Sequence, residues 1–472
     1  DVEAHVENRD GPAALVGERV GSVRDDDDDT AVIASVNALL RKGCNRIVLA
    51  LDGKDHATRE LRFRRVFLRC FPRHLLGAVP LLLAHQLTED TSLGRRAWTA
   101  LLNAFLHPTM EHFLYHAEGE LRNHGMTRPL MVFRNDGNAS RVAKTVALKT
   151  YSSGPRGGLE GARAYARAYG VARIVSFDIG GTTTDIGAVG VDCIDEMAHG
   201  TVEGVQTAFP LCNILSAGIG GSSVLGWSSA GFKVGPESVG AVPGPACFGR
   251  GGKQPTMTDV YLLSGWFDPK TYFGGRLPID PTLAAQAVQK QVASPANLGA
   301  DAALLALDDA YHRAIADAIV AHTPLTSETL LMAIGGAGPM SACKVAELVG
   351  VDRVIVPHAA SVFCAYGIGF SDVIYTHEDA IEGNAQETLA ALMQRAGRDV
   401  YAEGFELDGC EITRTLLVQG QPDQLLDAEI WPEVIAPGAR LRLQIVRPLQ
   451  SFPVTDISTP KAHAPSSAQT RT

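Results

Sequence analysis

The sequence lacks the features that mark membrane, nucleic-acid-binding and disulfide-stabilised proteins. No apolar run approaches the roughly 18 residues that a membrane helix needs, so we expect no membrane segment. The formal net charge of −10 argues against general nucleic-acid binding, which usually requires a basic face. The eight cysteines include no C-x-x-C pair, which predicts neither a zinc ribbon nor a disulfide framework and favours a reducing, cytoplasmic setting.

The composition is otherwise that of an ordinary soluble protein. Hydrophobic residues make up 46% and charged residues 20% of the 472 residues. At roughly 150 residues per domain, this length predicts about three structural units. We interpret the aspartate run at 25–29 as a solvated loop. Because the chain starts at Asp1 without a methionine or a signal segment, we read its N-terminus as processed or incomplete.

Helix and strand patterns alternate along the first part of the chain. The spacing of apolar residues predicts helix, strand, helix and strand in turn, at 31–42, 46–51, 58–70 and 79–84. A longer helix follows at 94–124, and Pro108 is expected to interrupt it. This alternation is typical of an α/β fold.

The second part of the chain is richer in glycine. Residues 153–170 are predicted as a Gly-rich turn followed by an Ala-rich helix that Gly170 ends. Residues 200–256 are dense in Gly, Pro and Ser, and predict a long, irregular but specific loop of the kind that usually lies at a functional site. A β-rich region is predicted at 410–455, and residues 459–472 have the composition of a disordered tail.

The strongest chemical signal is VSFDIGGTTTDIGAVG, residues 175–190. A strand that ends in Asp178 places a carboxylate where it can hold a hydrated Mg²⁺. Gly180 and Gly181 let the backbone turn with its N–H groups open to an anion. Asp185 begins the return strand at the same end of the sheet.

Three threonines in this turn leave two interpretations open. Thr182, Thr183 and Thr184 offer hydroxyl donors to phosphate oxygens. The same residues are also ordinary turn and strand formers in a plain β-hairpin. The stretch is not a Walker loop, which requires a lysine and a following helix.

Two further glycine-rich turns follow apolar segments. AIGGAGPM at 333–340 contains Gly335, Gly336 and Gly338 and opens a helix, but it lacks the full G-x-G-x-x-G pattern. The GIGGSS turn at 218–223 is, by itself, an equally weak indication of a nucleotide site. Three such turns in one chain indicate a nucleotide site more strongly than any one of them does.

Other candidate ligands and nucleophiles have simpler explanations. His112 and His116 have the i, i+4 spacing of a chelating pair but not the H-E-x-x-H order, so we interpret them as packing or surface residues. Cys212, Cys247 and Cys343 lie near the glycine-rich turns and are interpreted as small apolar residues. No Ser-His-Asp or Cys-His arrangement can be assigned from spacing.

Several motifs occur together in a fixed order: SGPRGG, FDIGGTTTDIG, VGPESVGAVPGPACFGRGG with PTMTD, and GGAGPM with SVFCAYGIGFSD. Across roughly residues 30–385 they resemble the hydantoinase A/oxoprolinase family, which includes the ATP-dependent acetone and acetophenone carboxylases. FRNDGNASRVAKT and KTYSSGPRGGLEGA are more similar to the ketone carboxylase branch than to the ring-opening enzymes.

The resemblance implies an α/β, actin-like ATPase fold related to sugar kinases and acetate kinase, in which two ribonuclease-H-like lobes close over ATP. We accordingly assign residues 1–150 to the remainder of the first lobe and 151–385 to the second lobe. Residues 386–458 would form a small β-rich domain.

The resemblance also implies roles for the motif residues. Asp178 and Asp185 would be catalytic and bound the second phosphate loop, with Asp178 holding Mg²⁺ or Mn²⁺ through water. The turn at 180–184 would contact the β- and γ-phosphates of ATP. The adenosine side would be formed by Gly335, Gly336 and Gly338.

Two positions depart from the family pattern. Residues 1–30 contain no Asp-x-Gly-Gly-Thr hairpin, which is the first phosphate loop of the family, so ATPase activity is expected to be absent or completed by a partner. Where many relatives carry Asp and His ahead of the glycine turn, this sequence has Cys212 and Ile214, so no metal site is expected there.

The implied function is that of a hydantoinase A-like subunit in a hetero-oligomeric, ATP-dependent carboxylase. Such an enzyme would phosphorylate an acetone- or acetophenone-like ketone for carboxylation with bicarbonate. Its partners would be a hydantoinase B-like subunit and, in some assemblies, a further hydantoinase A-like subunit. Two alternatives stay open: ATP-dependent hydrolysis of a cyclic amide such as hydantoin or 5-oxoproline, and a non-catalytic scaffold with a degenerate ATP site.

Overall fold

The chain forms a mixed α/β structure, described here from a computed structural model. The residues that the structure describes are 2–7, 15–21, 29–76, 78–88, 90–191, 193–381, 384–418, 424–426, 435–436 and 438–448. The predicted tail at 459–472 and all but the last residue of the aspartate run lie outside these ranges.

Ten α-helices occur in the described part of the chain. In chain order the α-helices are α1 (Asp29–Arg41), α2 (His56–Cys70), α3 (Leu93–Asn123), α4 (Ser153–Tyr169), α5 (Met257–Leu263), α6 (Pro281–Val288), α7 (Ala300–His322), α8 (Gly338–Val349), α9 (Phe363–Ile368) and α10 (Ala385–Ala402). Among these described helices, none combines the length and apolar composition that a bilayer crossing requires.

The strands of the described residues range from two to eight residues in length. In chain order they are β1 (Val2–Glu7), β2 (Leu15–Gly21), β3 (Ile47–Leu49), β4 (Leu81–Leu83), β5 (Met131–Phe133), β6 (Ala139–Arg141), β7 (Arg173–Ile179), β8 (Thr184–Gly190), β9 (Glu196–Met197), β10 (Thr201–Val202), β11 (Val205–Gln206), β12 (Leu211–Cys212), β13 (Leu215–Ala217), β14 (Ser223–Ser228), β15 (Gly231–Ser238), β16 (Thr329–Ile334), β17 (Val354–Ile355), β18 (Val373–Ala380), β19 (Glu411–Leu417), β20 (Gln424–Leu426) and β21 (Arg440–Arg447).

The chain divides into two compact units. Unit 1 consists of Asp1–Asp136, Ser140–Tyr151 and Glu196–Cys212, and unit 2 of Gly137–Ala139, Ser152–Asp195 and Asn213–Thr472. The domain boundaries expected from the sequence, at 150, 385 and 458, stay predictions.

Unit 1 contains the alternating elements predicted between residues 30 and 84. Strands β3 and β4 are parallel, with Ile47 opposite Leu81. Val32 and Val36 of α1 and Phe67 of α2 are buried together with Ile47 in one apolar cluster. The helices and strands predicted between residues 31 and 84 are therefore present, and one apolar cluster packs them together.

Helix α3 continues through Pro108, contrary to the predicted interruption. Its buried residues, from Arg96 to Ala104, all lie in the turns before the proline. A proline inside a helix costs about 3 kcal/mol because it removes one backbone hydrogen bond. Tertiary packing of the preceding turns outweighs this local cost.

Unit 2 is built on a five-stranded sheet of order β13-β8-β7-β16-β17. Strands β7, β8 and β13 form an antiparallel meander, whereas β16 runs parallel to β7 and β17 parallel to β16. The carboxyl ends of β7 and β16 therefore lie at the same edge of the sheet, where β8 begins. Ligands of open α/β sheets bind at this kind of edge.

The two faces of this sheet are covered differently. Val175, Phe177 and Ile179 point into the main apolar core, which also contains Tyr311 and Ile315 of α7. Alternate residues of a strand point to opposite faces, so Ser176 and Asp178 lie on the other face. Helix α4 packs against β7 and β8.

Helices α4 and α9 pack closely against each other at what we call the glycine interface (Gly157, Gly161 and Gly367). A Cβ on Gly367 would lie 1.9 Å from the Gly157 carbonyl oxygen, and one on Gly161 would lie 2.8 Å from the Phe363 ring. The segment at 153–158 is helical, so its prediction as a turn is wrong. These glycines permit close packing of the two backbones, and Gly170 ends α4 in the left-handed conformation as predicted.

The glycine-rich region at 200–256 is more regular than its composition predicted. It contains several short strands, and β14 and β15 form an antiparallel hairpin. The C-terminal region is β-rich as predicted: β18, β21, β19 and β20 form an antiparallel sheet. Leu392, Ala396 and Val400 of α10 are buried with residues of this sheet.

The glycine interface predicts a large difference between two Gly→Ala variants. Gly367→Ala is expected to lower the free energy of unfolding by about 1–3 kcal/mol, because the added methyl group overlaps the Gly157 carbonyl. Gly154→Ala, also in α4, is the control, since no heavy atom lies within 4 Å of its Cβ position. Urea denaturation of both variants measures the difference. Equal midpoints would contradict close packing at this interface.

Candidate functional site

Two carboxylates face each other at the edge of the unit 2 sheet. Asp178, near the end of β7, is the cross-strand partner of Asp185 in β8, and Ile179 is the partner of Thr184. Directly opposed side chains in an antiparallel pair lie on the same face, with Cβ atoms about 5 Å apart. The structure therefore brings the two predicted catalytic residues together.

The environment of this pair disfavours negative charge. Burial raises the pKa of Asp178 above its usual range, the nearby Asp185 adds to the rise, and a hydrogen bond from the Cys364 thiol opposes it. Burial also raises the pKa of Asp185, and a hydrogen bond with Ser216 opposes that rise. Neither shift has a contribution from lysine or arginine. Like charges without a nearby cation are characteristic of functional sites.

The turn between the two strands is tight and open at its tip. The Gly180 N–H donates to the Thr183 carbonyl at 2.9 Å. Gly181 and Thr182 are exposed and Thr183 is half-buried, so these groups are accessible to a ligand. Thr184 differs, because it is fully buried and its hydroxyl donates to the Ile219 carbonyl at 2.6 Å.

The GIGGSS turn at 218–223 lies directly on the hairpin turn. The N–H of Gly221 donates to the Gly180 carbonyl at 3.0 Å, and that of Ser222 to the Gly181 carbonyl at 2.6 Å. A Cβ on Gly220 would lie 2.7 Å from Gly181 backbone atoms. Glycine is therefore required here so that the two backbones can approach each other.

The third glycine turn, at 335–338, meets the same strand end. The Ala337 N–H donates to the Ile179 carbonyl at 3.1 Å. Gly335 has a φ of +84°, and a Cβ there would lie 2.2 Å from Asp178 Oδ1. Gly336 is exposed with no heavy atom within 4 Å of its Cβ position, whereas Gly338 is buried at the start of α8. Of the three predicted glycines, Gly336 is the one left open to a ligand.

A buried carboxylate organises the loop that follows β15. Asp259 of α5 is fully buried and accepts hydrogen bonds from the N–H groups of Ala246, Cys247 and Thr256, and from the Thr256 hydroxyl. Thr258, one residue before it, donates its hydroxyl to the Gly221 carbonyl at 2.8 Å. Hydrogen bonds to and from residues in the first turn of α5 thus hold both the PGPACFGRGG loop and the GIGGSS turn in place.

Cys364 is a site residue that reasoning from sequence patterns did not select. Its Sγ lies 3.1 Å from Asp178 Oδ2, although the two residues are 186 positions apart. Burial, reinforced by Asp178, raises the pKa of this thiol far above its usual range, so it is a neutral donor. It lies in the SVFCAYGIGFSD motif, but no spacing rule predicts a contact over this sequence separation.

The carboxylate pair has the chemistry of a magnesium site. Mg²⁺ is commonly held by one or two protein carboxylates, with water and substrate phosphates completing its shell. Asp178 and Asp185 supply two carboxylates next to an exposed Gly–Thr turn, and no lysine or arginine of the described residues contributes to their pKa shifts. Within the described ranges, no group of three or more His, Cys, Asp or Glu side chains forms a complete metal site. The residues fit a metal that shares its ligands with phosphate.

The other candidate residues are exposed to solvent or have structural roles. His112 and His116 are exposed and stacked, with ring centroids 6.2 Å apart. Cys212 is buried in β12, and Cys247 is buried with its N–H bonded to Asp259. Cys343 is exposed on α8, contrary to its interpretation as a buried apolar residue.

Comparisons with known proteins match the motif-bearing part of the chain. The protein-family model described as hydantoinase/oxoprolinase matches residues 96–377, more than half of the 472 residues. The chain is 27% identical over 412 residues to the acetophenone carboxylase gamma subunit of Aromatoleum aromaticum, covering 82% of this chain and 56% of that protein. It is 26% identical over 298 residues to the caprolactamase subunit alpha of Pseudomonas jessenii, covering 62% of this chain and 43% of that protein.

The chain thus spans about half the length of these two relatives. Its fold is shared with a solved enzyme: a nucleotide-free structure of acetone carboxylase, from work on ATP-dependent acetone carboxylation, aligns with a TM-score of 0.76 at 17% identity. That alignment covers 95% of this chain and 69% of the other.

The glycine turn at 335–338 predicts opposite outcomes for two adjacent substitutions. Gly335→Ala is expected to lower the free energy of unfolding by about 1–3 kcal/mol, because its Cβ would overlap Asp178 Oδ1 and its φ is strained for alanine. Gly336→Ala has open space and is expected to unfold as the wild type does. Thermal melting compares them. Equal destabilisation of the Gly335→Ala and Gly336→Ala variants would contradict the close approach of Gly335 to the Asp178 carboxylate.

The raised pKa of Asp185 predicts that this carboxylate destabilises the ligand-free protein at neutral pH. Below the ordinary value of 3.8 the carboxyl is protonated in both the folded and the unfolded protein and has no effect. As pH rises through the higher folded pKa, the folded protein must ionise a half-buried group and loses stability. Asp185→Asn should therefore melt higher than the wild type at pH 7.

The test is a series of melting temperatures from pH 3 to pH 8. The advantage of Asp185→Asn should shrink as pH falls and vanish once the wild-type carboxyl is protonated. An advantage that is the same at every pH would reflect packing and not ionisation.

Proposed function

This chain belongs to the hydantoinase/oxoprolinase family, as its motifs predicted, and we propose that it is a subunit of a hetero-oligomeric, ATP-dependent carboxylase. The substrate would be a small ketone similar to acetone or acetophenone, activated by phosphorylation for carboxylation with bicarbonate. A hydantoinase B-like subunit would be its partner, with a further hydantoinase A-like subunit in some assemblies. Its scattered, free cysteines suit the cytoplasm, which we propose as its location.

The observation that carries the proposal is the carboxylate pair beside an exposed Gly–Thr turn. Phosphoryl transfer needs little covalent participation from the protein, because most of the catalysis is positioning and stabilisation of charge. An open turn with free backbone N–H groups provides positioning for phosphate oxygens. Two carboxylates at the same sheet edge provide the metal ligands that phosphoryl transfer requires.

The order of the unit 2 sheet supports the assignment of this unit to a ribonuclease-H-like lobe of an actin-like ATPase. That assignment requires an antiparallel meander of three strands extended by two parallel strands. The order β13-β8-β7-β16-β17 has this form. We propose the actin-like fold for the whole chain on this basis.

Specific groups would hold ATP and its metal. Asp178 would hold Mg²⁺ or Mn²⁺ through water with Asp185 beside it, and the metal would offset negative charge on the phosphates. The turn residues Gly181, Thr182 and Thr183 would donate to phosphate oxygens. The N–H of Gly180, which was also predicted to contact phosphate, already donates to the Thr183 carbonyl, so Gly180 would shape the turn. The hydroxyl of Thr184 already donates to Ile219, so Thr184 would support the turn from within.

Adenosine would lie toward the glycine turn at 335–338, where exposed Gly336 leaves room and Gly335 and Gly338 shape the backbone. In the proposed reaction, the oxygen of a ketone enolate attacks the γ-phosphorus. One P–O bond forms and the bond to ADP breaks. Asp178 and Asp185 stay ionised throughout and serve as charge partners.

The caprolactamase relative supports a second candidate, ATP-dependent hydrolysis of a cyclic amide. The ketone carboxylase is preferred because the acetophenone carboxylase subunit aligns with 82% of this chain and the caprolactamase subunit with 62%. A scaffold without turnover is the third outcome to be tested.

The proposed function predicts ATP consumption that depends on ketone and bicarbonate. The complex of this chain with its partner subunit should release phosphate when both are present, and Asp178→Asn or Asp185→Asn should reduce this rate at least about 100-fold. Asp352→Asn, an exposed position in the same unit, is the matched control and should retain the wild-type rate.

Each alternative has its own signature in this assay. If phosphate release does not depend on bicarbonate but requires a lactam, the enzyme is a cyclic amide hydrolase and not a carboxylase. Full activity in the Asp178→Asn and Asp185→Asn complexes would leave this chain as a scaffold.

A further inference from the structure

The carboxylate of Asp178 is held on both of its oxygens by parts of the fold far away in sequence. Oδ2 accepts a hydrogen bond from the Cys364 thiol at 3.1 Å. Oδ1 lies against the backbone of Gly335, where a Cβ would approach it to 2.2 Å. The hydrogen bond on one oxygen and the close backbone beside the other restrict the orientation of the carboxylate.

The space around this contact is narrow. A cleft with a volume of about 10 Å³ is lined by Asp178, Asp185, Ser176 and Cys364, among others. That volume is close to the minimum for one water molecule. The exposed turn at 180–183 therefore offers phosphate a more open approach than this cleft does.

The glycine interface determines where the thiol lies. Cys364 is in the first turn of α9, and a Cβ on Gly157 would lie 2.6 Å from its carbonyl oxygen. A Cβ on Gly158 would lie 3.0 Å from its Sγ. Because the two backbones are in direct contact, α9 cannot shift toward or away from β7 independently of α4.

We propose that Cys364 is a positioning residue for the metal-dependent binding of ATP, an inference that rests on the proposed function. Its neutral thiol orients the Asp178 carboxylate so that the metal and the phosphates meet a fixed oxygen. The residue contacts neither ATP nor substrate and acts through Asp178. A hydrogen bond to a charged group is worth enough to change an affinity several-fold.

Equilibrium binding of ATP to the full chain in complex with its partner tests this proposal. With Mg²⁺ present, Cys364→Ala should raise the dissociation constant about 5-fold or more, because the carboxylate loses its donor. Cys364→Ser keeps a donor and should stay within about twofold of the wild type. In EDTA all three proteins should bind ATP equally weakly, which a general defect in folding would not produce.

Two further variants test whether the position of the Cys364 thiol beside Asp178 affects ATP binding, or whether the loss of any thiol has the same effect. Gly158→Ala retains the thiol but displaces Sγ, so it should weaken Mg·ATP binding as Cys364→Ala does. Cys343→Ala removes an exposed thiol of the same unit and should bind Mg·ATP as the wild type does.

The outcomes distinguish a failure of the proposed function from a failure of the positioning role of Cys364. A wild-type complex that fails to bind Mg·ATP would overturn the proposed function and this inference with it. Wild-type binding together with unchanged Mg·ATP affinity in Cys364→Ala would overturn the positioning role alone. A weakened Cys364→Ser variant, as impaired as Cys364→Ala, would also overturn it, because packing and not hydrogen bonding would then explain the loss.

Discussion

Three consecutive carbonyl groups at the end of β7 organise the whole candidate site. The carbonyls of Ile179, Gly180 and Gly181 accept hydrogen bonds from the backbone N–H groups of Ala337, Gly221 and Ser222. Three segments from distant parts of the chain therefore meet main chain to main chain. Such close contacts explain the glycines at 220 and 335, where a Cβ would overlap the hairpin backbone. The exposed tip of the hairpin and the carboxylate pair are positioned as a consequence.

The site is assembled at a cost to the stability of the fold. Opposed, half-buried carboxylates without a cation raise each other's energy, and the left-handed backbone at Gly335 tolerates no side chain. The apolar core on the opposite face of the sheet offsets this cost with large buried residues such as Phe177 and Tyr311. The stability that the apolar core provides on one face of the sheet thus permits an unfavourable pair of carboxylates on the other face.

The sequence was informative where the signal is local. Apolar periodicity identified α1, and the hairpin of residues 175–190 was recognised from its turn formers and flanking strands. Local rules failed where tertiary contacts decide the outcome. Pro108 lies inside a continuous helix because the preceding turns are buried, and the glycines of α4 serve helix packing and not a turn. Cys364 could not be found at all, since its contact with Asp178 depends on the closure of the entire unit.

The environment of Asp259 has a consequence for the thermodynamics of ligand binding. Long Gly- and Pro-rich loops normally have high conformational entropy, and ordering them when a ligand binds weakens affinity. Here one buried carboxylate fixes the backbone at Ala246, Cys247 and Thr256 before any ligand arrives. The entropy of this loop is lost during folding, so the affinity of a ligand beside it is not reduced by ordering the loop.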